Sequence, residues 1–312
     1  MTRDIIRIGT RGSELALIQS HGVMKRLKRK FPAIRFEIVV IKTMGDKNKS
    51  LLVFDTKSIG LFTKELEKHL KKGTIDLAVH SLKDLPTTLQ KGLVIAATAK
   101  RESARDVLVS RRGWTLNRLP EGSTVGTSSI RRSRQMVIEC PDIEIVPLRG
   151  NIDTRVKRAL KGEMDAIVIA EAGLRRLGRF RRYAKPLPPQ IFIPSPGQGI
   201  LAVEARSRDA FARRITGAAN DADAALEALA ERECLRMLHG GCRVPAGIHA
   251  RSADGRILIR AAVYSVHHIE SLSVQMTGAR TRASAVKLGR EAARVLLRQG
   301  AGDYLREARR HA

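Results

Sequence analysis

The chain repeats itself. Lys72-Gly73-Thr74-Ile75-Asp76-Leu77-Ala78-Val79 returns as Lys161-Gly162-Glu163-Met164-Asp165-Ala166-Ile167-Val168, and Gly9-Thr10-Arg11-Gly12-Ser13 has a counterpart in Gly126-Thr127-Ser128-Ser129. In both copies a strand-like run leads into Gly-Thr, hydroxyl residues and then helical periodicity. The first copy predicts a strand at Ile5–Ile8, a helix over Glu14–Lys30 and a strand at Phe36–Ile41. Leu15, Ile18, Val23 and Leu27 fall near one face of that helix, and Ser13 is its expected N-cap. A helix over Leu61–Leu70 and a buried strand at Ile75–Val79 follow. The second copy predicts a strand at Ser123–Val125, a helix over Ile130–Glu139 and a strand at Ile143–Val146.

Alternating strands and helices imply mostly parallel sheets with helices on both faces. Beyond Asn220 the pattern changes to a helix over Asp221–Leu238, ended by a left-handed glycine at Gly240-Gly241. Strands at Gly247–Ala250, Ile257–Tyr264 and Ile269–Gln275 then precede a helix over Ser284–Arg298. The expected fold is two similar periplasmic-binding-protein-like α/β domains facing a cleft, plus a small α+β C-terminal domain with an antiparallel sheet. Residues 1–99 with 197–219 would form the first domain, 100–196 the second and 220–312 the third. Lys42 to Gly60 is a polar insertion with no counterpart in the second copy, and its length suits either a disordered loop or a functional lid.

Charge narrows the partners. Lys+Arg number 58 against 31 Asp+Glu, a net charge of +27 that calls for an anionic partner. Aromatic residues make up only 4%, too few for base-stacking platforms, and no nucleic-acid-binding motif is present, so nucleic acid is disfavoured. Arg206, Arg208, Arg213 and Arg214 and the C-terminal arginines read as solvated helix faces. No apolar run reaches the about 18 residues of a membrane span, and the first residues lack a signal-peptide pattern, so a cytoplasmic protein without a membrane partner is expected. The three cysteines, Cys140, Cys234 and Cys242, suggest neither a disulfide set nor a metal site. The histidines form no ligand-spaced cluster either, and His80, after a strand, suits a structural hydrogen bond.

In sheets of this kind ligands collect at the carboxyl ends of strands. Ser81, Lys83 and Asp84 leave such an end before Pro86, where a carboxylate can stabilise a developing cation or hold an N–H donor; a plain surface Lys–Asp pair is the rival explanation. Thr127, Ser128, Ser129, Arg131 and Arg132 open a helix, and Arg149 to Arg155 repeat the device, which suits carboxylates or phosphates. With Arg11 and Arg176 they predict a cationic cleft wall. Gly197-Gln198-Gly199-Ile200-Leu201-Ala202 matches a loose dinucleotide fingerprint, but Ile200–Glu204 reads as a strand rather than a helix. Cys242, after two glycines and beside Arg243, is the thiol placed to be reactive, though a structural role remains open.

Taken together, IGTRGSELALIQ, GLFTKELE, DLAVHSLKDLPT, VGTSSIRR, LRGNIDTR, DAIVIAEAGLRRLG, SPGQG and GGCRVP closely resemble the porphobilinogen deaminase (hydroxymethylbilane synthase) family, in family order from Ile8 to Pro245. The resemblance implies a transferase of tetrapyrrole (haem and porphyrin) biosynthesis, a cytoplasmic monomer that joins four porphobilinogen molecules head to tail and releases ammonia at each addition. It implies a dipyrromethane cofactor held by a thioether to Cys242, with Ser81, Lys83, Thr127, Ser129, Arg131, Arg132 and Arg155 as cofactor ligands. Arg11, Ser13, Gln19, Phe62, Arg149 and Arg176 would bind substrate, Asp84 would be the catalytic group, and no metal is implied. The chain departs from the family at Ile59, where lysine is common, and at His239, where an acid is common. Paired α/β domains also describe solute receptors, but a receptor would need neither Asp84 nor Cys242.

Overall fold

The computed structural model describes residues 3–42, 63–239 and 244–310. Along the chain, β1 (Ile5–Thr10), α1 (Glu14–Lys30), β2 (Arg35–Val40), α2 (Lys64–Lys72), β3 (Leu77–Ser81) and β4 (Leu93–Thr98) come first. There follow β5 (Asp106–Ser110), β6 (Thr124–Gly126), α3 (Ile130–Glu139), β7 (Glu144–Val146), α4 (Ile152–Lys161), β8 (Ala166–Ala170), α5 (Glu171–Leu177) and β9 (Ala184–Pro186). The remainder is β10 (Leu201–Arg206), α6 (Ala210–Thr216), α7 (Ala222–Met237), β11 (Ala246–Ala253), β12 (Arg256–Tyr264), β13 (Ser271–Ala279), α8 (Arg282–Arg298) and α9 (Ala301–Arg310).

Two five-stranded sheets share one plan, β2-β1-β3-β10-β4 and β7-β6-β8-β5-β9. Within each, the first three strands are parallel and the fourth is antiparallel. That fourth strand is the one that has just crossed from the other half of the chain: β5 enters the second sheet and β10 returns to the first. The two crossovers therefore run side by side between the sheets. The third unit is the antiparallel sheet β11-β12-β13, covered by α7, α8 and α9 over its own apolar core. The observed architecture is the expected one, two α/β domains and a small unit with an antiparallel sheet.

The repeated sequence corresponds to repeated contacts. Gly73 and Gly162 end α2 and α4 in the left-handed region, at φ 71° and 87°. Asp76 Oδ2 accepts from Arg7 N and Asp165 Oδ2 from Thr124 N, both at 2.9 Å, tying the start of each third strand to its neighbour. Gly9, next to last in β1, and Gly126, last in β6, stand where a Cβ would collide with Ile75 and Met164, the matching residues of the two copies.

Local expectations hold with small shifts. Ser13 caps α1 by accepting from Ala16 N at 3.4 Å, and Val23 and Leu27 are buried. The segment after Gly199 is strand β10, which leaves no helix for a dinucleotide fold. The helix expected from Leu61 runs over Lys64–Lys72 within the described residues, and the strand expected at Ile269 begins at Ser271. α7 stops at Met237, and the left-handed residue beyond it is His239, φ 49°; Gly240 and Gly241 lie outside the described residues. Arg206 is a correction. It ends β10 rather than sitting on a solvated helix face, and donates to Leu70 O, Ile75 O, Asp76 and Asp209.

Two helices meet backbone to backbone at Gly289 of α8, where a Cβ would collide with the Ala230 carbonyl of α7. Backbone cannot yield there as a side-chain tip would. Gly289→Ala is expected to cost about 1–3 kcal/mol by overpacking, read as a lower thermal midpoint; an unchanged midpoint would contradict the close contact.

Candidate active site

A cleft of about 460 Å³ opens between the two sheets. Arg11, Ser13, Gln19, Ser81, Lys83 and Asp84 line it from the first domain, and Arg132, Arg155 and Arg176 from the second. Its lining thus gathers at strand carboxyl ends and helix starts, where backbone N–H groups lack intrahelical partners.

Asp84 owes its place to its neighbours. β3 ends at Ser81, and one 3-10 turn, Leu82–Asp84, buries Leu82 and leaves Asp84 exposed. Leu82 and Leu85 are fixed among Ile200, Ala202, Ala224 and Ala228. Gly197, at φ 75°, lies against this turn so closely that a Cβ would stand 3.0 Å from Lys83 N. On the other flank, Gln19 Nε2 donates to Ser81 Oγ at 3.2 Å.

Below the cleft lies a buried charge network. Asp106 receives Arg131 at 2.7 Å on Oδ2 and Arg132 at 2.8 Å on Oδ1. Gln198, fully buried, donates from Nε2 to Asp106 Oδ1 at 3.0 Å and to Ala104 O at 2.7 Å. Its Oε1 accepts from Lys83 Nζ at 3.2 Å, so one carboxamide spans both domains. Burial alone would raise the Asp106 carboxyl; Arg131 and Arg132, with hydrogen bonds from Gln198 and Arg131, more than reverse that and hold it well below the usual carboxylate range. Burial, and then the Arg132 charge, push Lys83 down to about 8. The same two causes push Arg155 down to about 10, and burial lowers Arg176. Lys83 and Arg155 both feel the Arg132 charge, and all of these cations are partly shielded from water, so a polyanionic ligand would be stabilised there.

Several expected ligands stand elsewhere. Arg131 does not line the cleft; its guanidinium is committed to Asp106 and to Ile193 O at 2.8 Å. Thr127, Ser129 and Arg149 are also off the lining. Ser129 caps α3 by accepting from Arg132 N, and Thr127 Oγ1 accepts from Ser129 N. Those hydroxyls organise the helix start that aims Arg132. Phe62, Cys242 and, apart from Lys42, the Lys42–Gly60 segment lie outside the described residues. Cys234 is fully buried, which pushes its thiol up to about 12, and burial raises Cys140 too. His80, expected after a strand, lies within β3 and makes the expected structural hydrogen bond, to Glu204 at 3.1 Å. Among the described residues, no group of three His, Cys, Asp or Glu is arranged to hold a metal ion.

Asp106 and Gln198 were missed as site residues. Their signals were present: an acid opening the apolar run Asp106-Val107-Leu108-Val109, and an amide between two glycines. Neither shows its partner without the fold.

Residues 6–214 match the family model described as porphobilinogen deaminase, dipyromethane cofactor binding domain, and residues 225–298 match porphobilinogen deaminase, C-terminal domain. Relatives named porphobilinogen deaminase include that of Syntrophobacter fumaroxidans, 43% identical over 98% of this chain and 99% of its own length. That of Desulforudis audaxviator is 42% identical over 99% of both, and that of Moorella thermoacetica 42% identical over 97% and 96%. Among solved structures, the periplasmic aliphatic sulphonate binding protein SsuA from Escherichia coli is similar over 75% of this chain and 70% of its own, at 15% identity and TM-score 0.42.

Asp106→Asn leaves two buried guanidinium groups short of their counter-charge and should cost about 3–5 kcal/mol at neutral pH. A carboxyl held low in the fold adds stability above its unfolded value near ~4, lost as pH falls below it. The variant should therefore show a shallower acid limb in denaturant unfolding followed against pH. Parental stability at pH 7 would rule the network out as a support.

Proposed function

The chain belongs to the porphobilinogen deaminase family, and from that premise we propose that it condenses four porphobilinogen molecules head to tail into hydroxymethylbilane, releasing ammonia at each addition. The reading makes it a transferase of tetrapyrrole biosynthesis, acting as a cytoplasmic monomer. No helix among the described residues is long and apolar enough to cross a membrane. Residues 1–99 with 197–219 form the domain bearing Asp84, 100–196 the arginine-rich domain and 220–312 the domain bearing Cys242. The return of β10 to the first sheet supports that division.

The observation that carries the reading is the placing of the exposed Asp84 carboxylate beside Lys83, Arg132, Arg155 and Arg176, cations whose charge burial disfavours, around a single cleft. Such a cleft fits pyrroles bearing acetate and propionate chains. It fits the dipyrromethane that this family's first domain binds. Ser81, Lys83, Arg132 and Arg155 would hold the cofactor, with Cys242 as its covalent anchor and Thr127, Ser129 and Arg131 supporting from behind. Arg11, Ser13, Gln19, Phe62, Arg149 and Arg176 would receive substrate. When bound, the dipyrromethane supplies the pyrrole carbon to which the first substrate is joined.

This chain's own residues supply orientation and charge. The Asp84 carboxylate accepts pyrrole N–H groups and offsets the positive charge that develops on the substrate as ammonia departs. Lys83, held by Gln198, and the arginines grip the carboxylates, so that each bond-forming pair meets in one orientation instead of by chance encounter. Gly197 keeps the Asp84 turn close to the crossover, which ties the catalytic carboxylate to the anion-binding wall.

Protein expressed in porphobilinogen-supplied cells should carry, on Cys242, the mass of two porphobilinogen units, each less one ammonia. Asp84→Asn should keep that adduct and lose turnover by about a thousandfold. An unmodified Cys242, or near-parental turnover in the variant, would overturn the reading. Lys83 is cationic below pH of about 8, so polycarboxylate affinity should fall as pH rises through that value. Lys83→Met should remove this limb in a binding titration, and an unchanged limb would contradict the role.

A further inference from the structure

Behind the cleft wall, α2 and the face of the first sheet that it covers bring together two acids and a histidine. β3 and β10 run antiparallel with Ala202 opposite His80 and Glu204 opposite Ala78, so these four side chains project to one face. On that face Ala78 packs with Leu66 and Leu70 of α2, and Glu67 stands between them in sequence. Glu67 is 2% exposed, Glu204 0% and His80 6%. His80 also lines the cleft, while its Nε2 stands 3.1 Å from Glu204 Oε2. From the other side, Gln90 Nε2 donates to Glu67 Oε2, and Lys71 Nζ donates to Gln90 Oε1 at 2.7 Å.

One oxygen of each acid, Glu67 Oε1 and Glu204 Oε1, is buried with no hydrogen-bond partner among the described residues. A buried carboxylate oxygen without a donor is costly, and two neighbouring charged carboxylates repel. A single proton answers both costs, because a protonated acid donates to the other carboxylate. Burial first, and the Glu204 charge second, raise the Glu67 carboxyl, against the opposing pull of Gln90, His80 and Lys71. Glu204 Oε2 already faces His80 Nε2 at 3.1 Å, which leaves Glu67, on the helix side, as the acid placed to carry a shared proton.

We propose that Glu67 and Glu204 share one proton beneath the cleft, and that Glu67 is a positioning residue which, through Glu204 and His80, holds the cleft wall beside Ser81. The remaining negative charge gives the His80 Nε2–H a fixed acceptor, which sets both the tautomer and the ring plane. A line of polar contacts then runs from Lys71 at the surface through Gln90, Glu67 and Glu204 to His80 at the cleft.

Two substitutions separate a need for a donor from a need for charge. Glu67→Gln is neutral and keeps an N–H donor, as the protonated acid does, so turnover of the holoprotein should stay within about twofold. Glu67→Leu removes the donor and should lose at least about tenfold in turnover, or fail to fold while Glu67→Gln folds. The turnover arm rests on the deaminase reading. Infrared difference spectroscopy and folding do not. The parent should show a protonated-carboxyl carbonyl band at neutral pH that Glu67→Gln lacks. Absence of that band in the parent, its persistence in Glu67→Gln, or equal behaviour of the two variants would overturn the proposal.

Discussion

Asp106 draws two guanidinium groups and the Gln198 carboxamide onto one carboxylate that solvent does not reach, and the shape of the cleft floor follows from that arrangement. A buried ion pair adds little net stability over an apolar replacement of the same volume, but it cannot be broken cheaply. Its value here is geometric. With both oxygens of Asp106 occupied, Arg132 keeps one orientation at the cleft edge, and Arg131 is drawn back to Ile193 O. Gln198 then extends the same constraint to Lys83 in the other domain. Like charges are thus held side by side at a distance they would not choose in water.

The crossovers explain why these groups meet. β5 and β10 are the exchanged strands, so the segments leading into them pass each other between the sheets. Asp106 opens one and Gln198 precedes the other. Gly199, at φ 88°, passes so close to the Ser103 carbonyl that a Cβ would stand 2.7 Å from it, which leaves glycine as the residue that fits. The third unit fastens to the same place. Arg101 reaches Gln198 O at 2.9 Å, Glu227 at 2.8 Å and Glu231 at 2.7 Å. Glu231 also accepts from Gly197 N at 2.6 Å and Ala250 N at 2.7 Å. All three units therefore share one buried junction directly beneath the Asp84 turn.

What burial does to charge also links the two titrating regions. On the cleft side, cations crowd together and Lys83 falls to about 8. Behind β3, acids crowd together and Glu67 rises. His80 and Ser81, successive residues of β3, both line the cleft, and His80 also bonds to Glu204, so that strand end touches both regions.

The sequence by itself determined the doubled α/β plan, because glycines at strand ends, hydroxyl caps and apolar periodicity act within a few residues of one another. Ser13, Gly73, Gly162 and the Asp76–Asp165 correspondence were legible for that reason. The strand after Gly199 was legible too, from its apolar run. The family motifs also singled out Asp84, Lys83 and the arginines as a set. Only the tertiary structure decided what each arginine does. Arg131 and Arg132 are adjacent and chemically identical, yet one is spent on a carbonyl behind the site and the other lines the cleft. Arg206 read as a solvated residue and is a half-buried tie between segments. A guanidinium's role depends on which acceptors lie within hydrogen-bond reach, and Asp106, Gln198 and the carbonyl of Ile193 come from segments far apart in sequence. Periodicity and local propensity carry no information about such partners, because the burial that makes the pairing matter exists only once the sheets have closed.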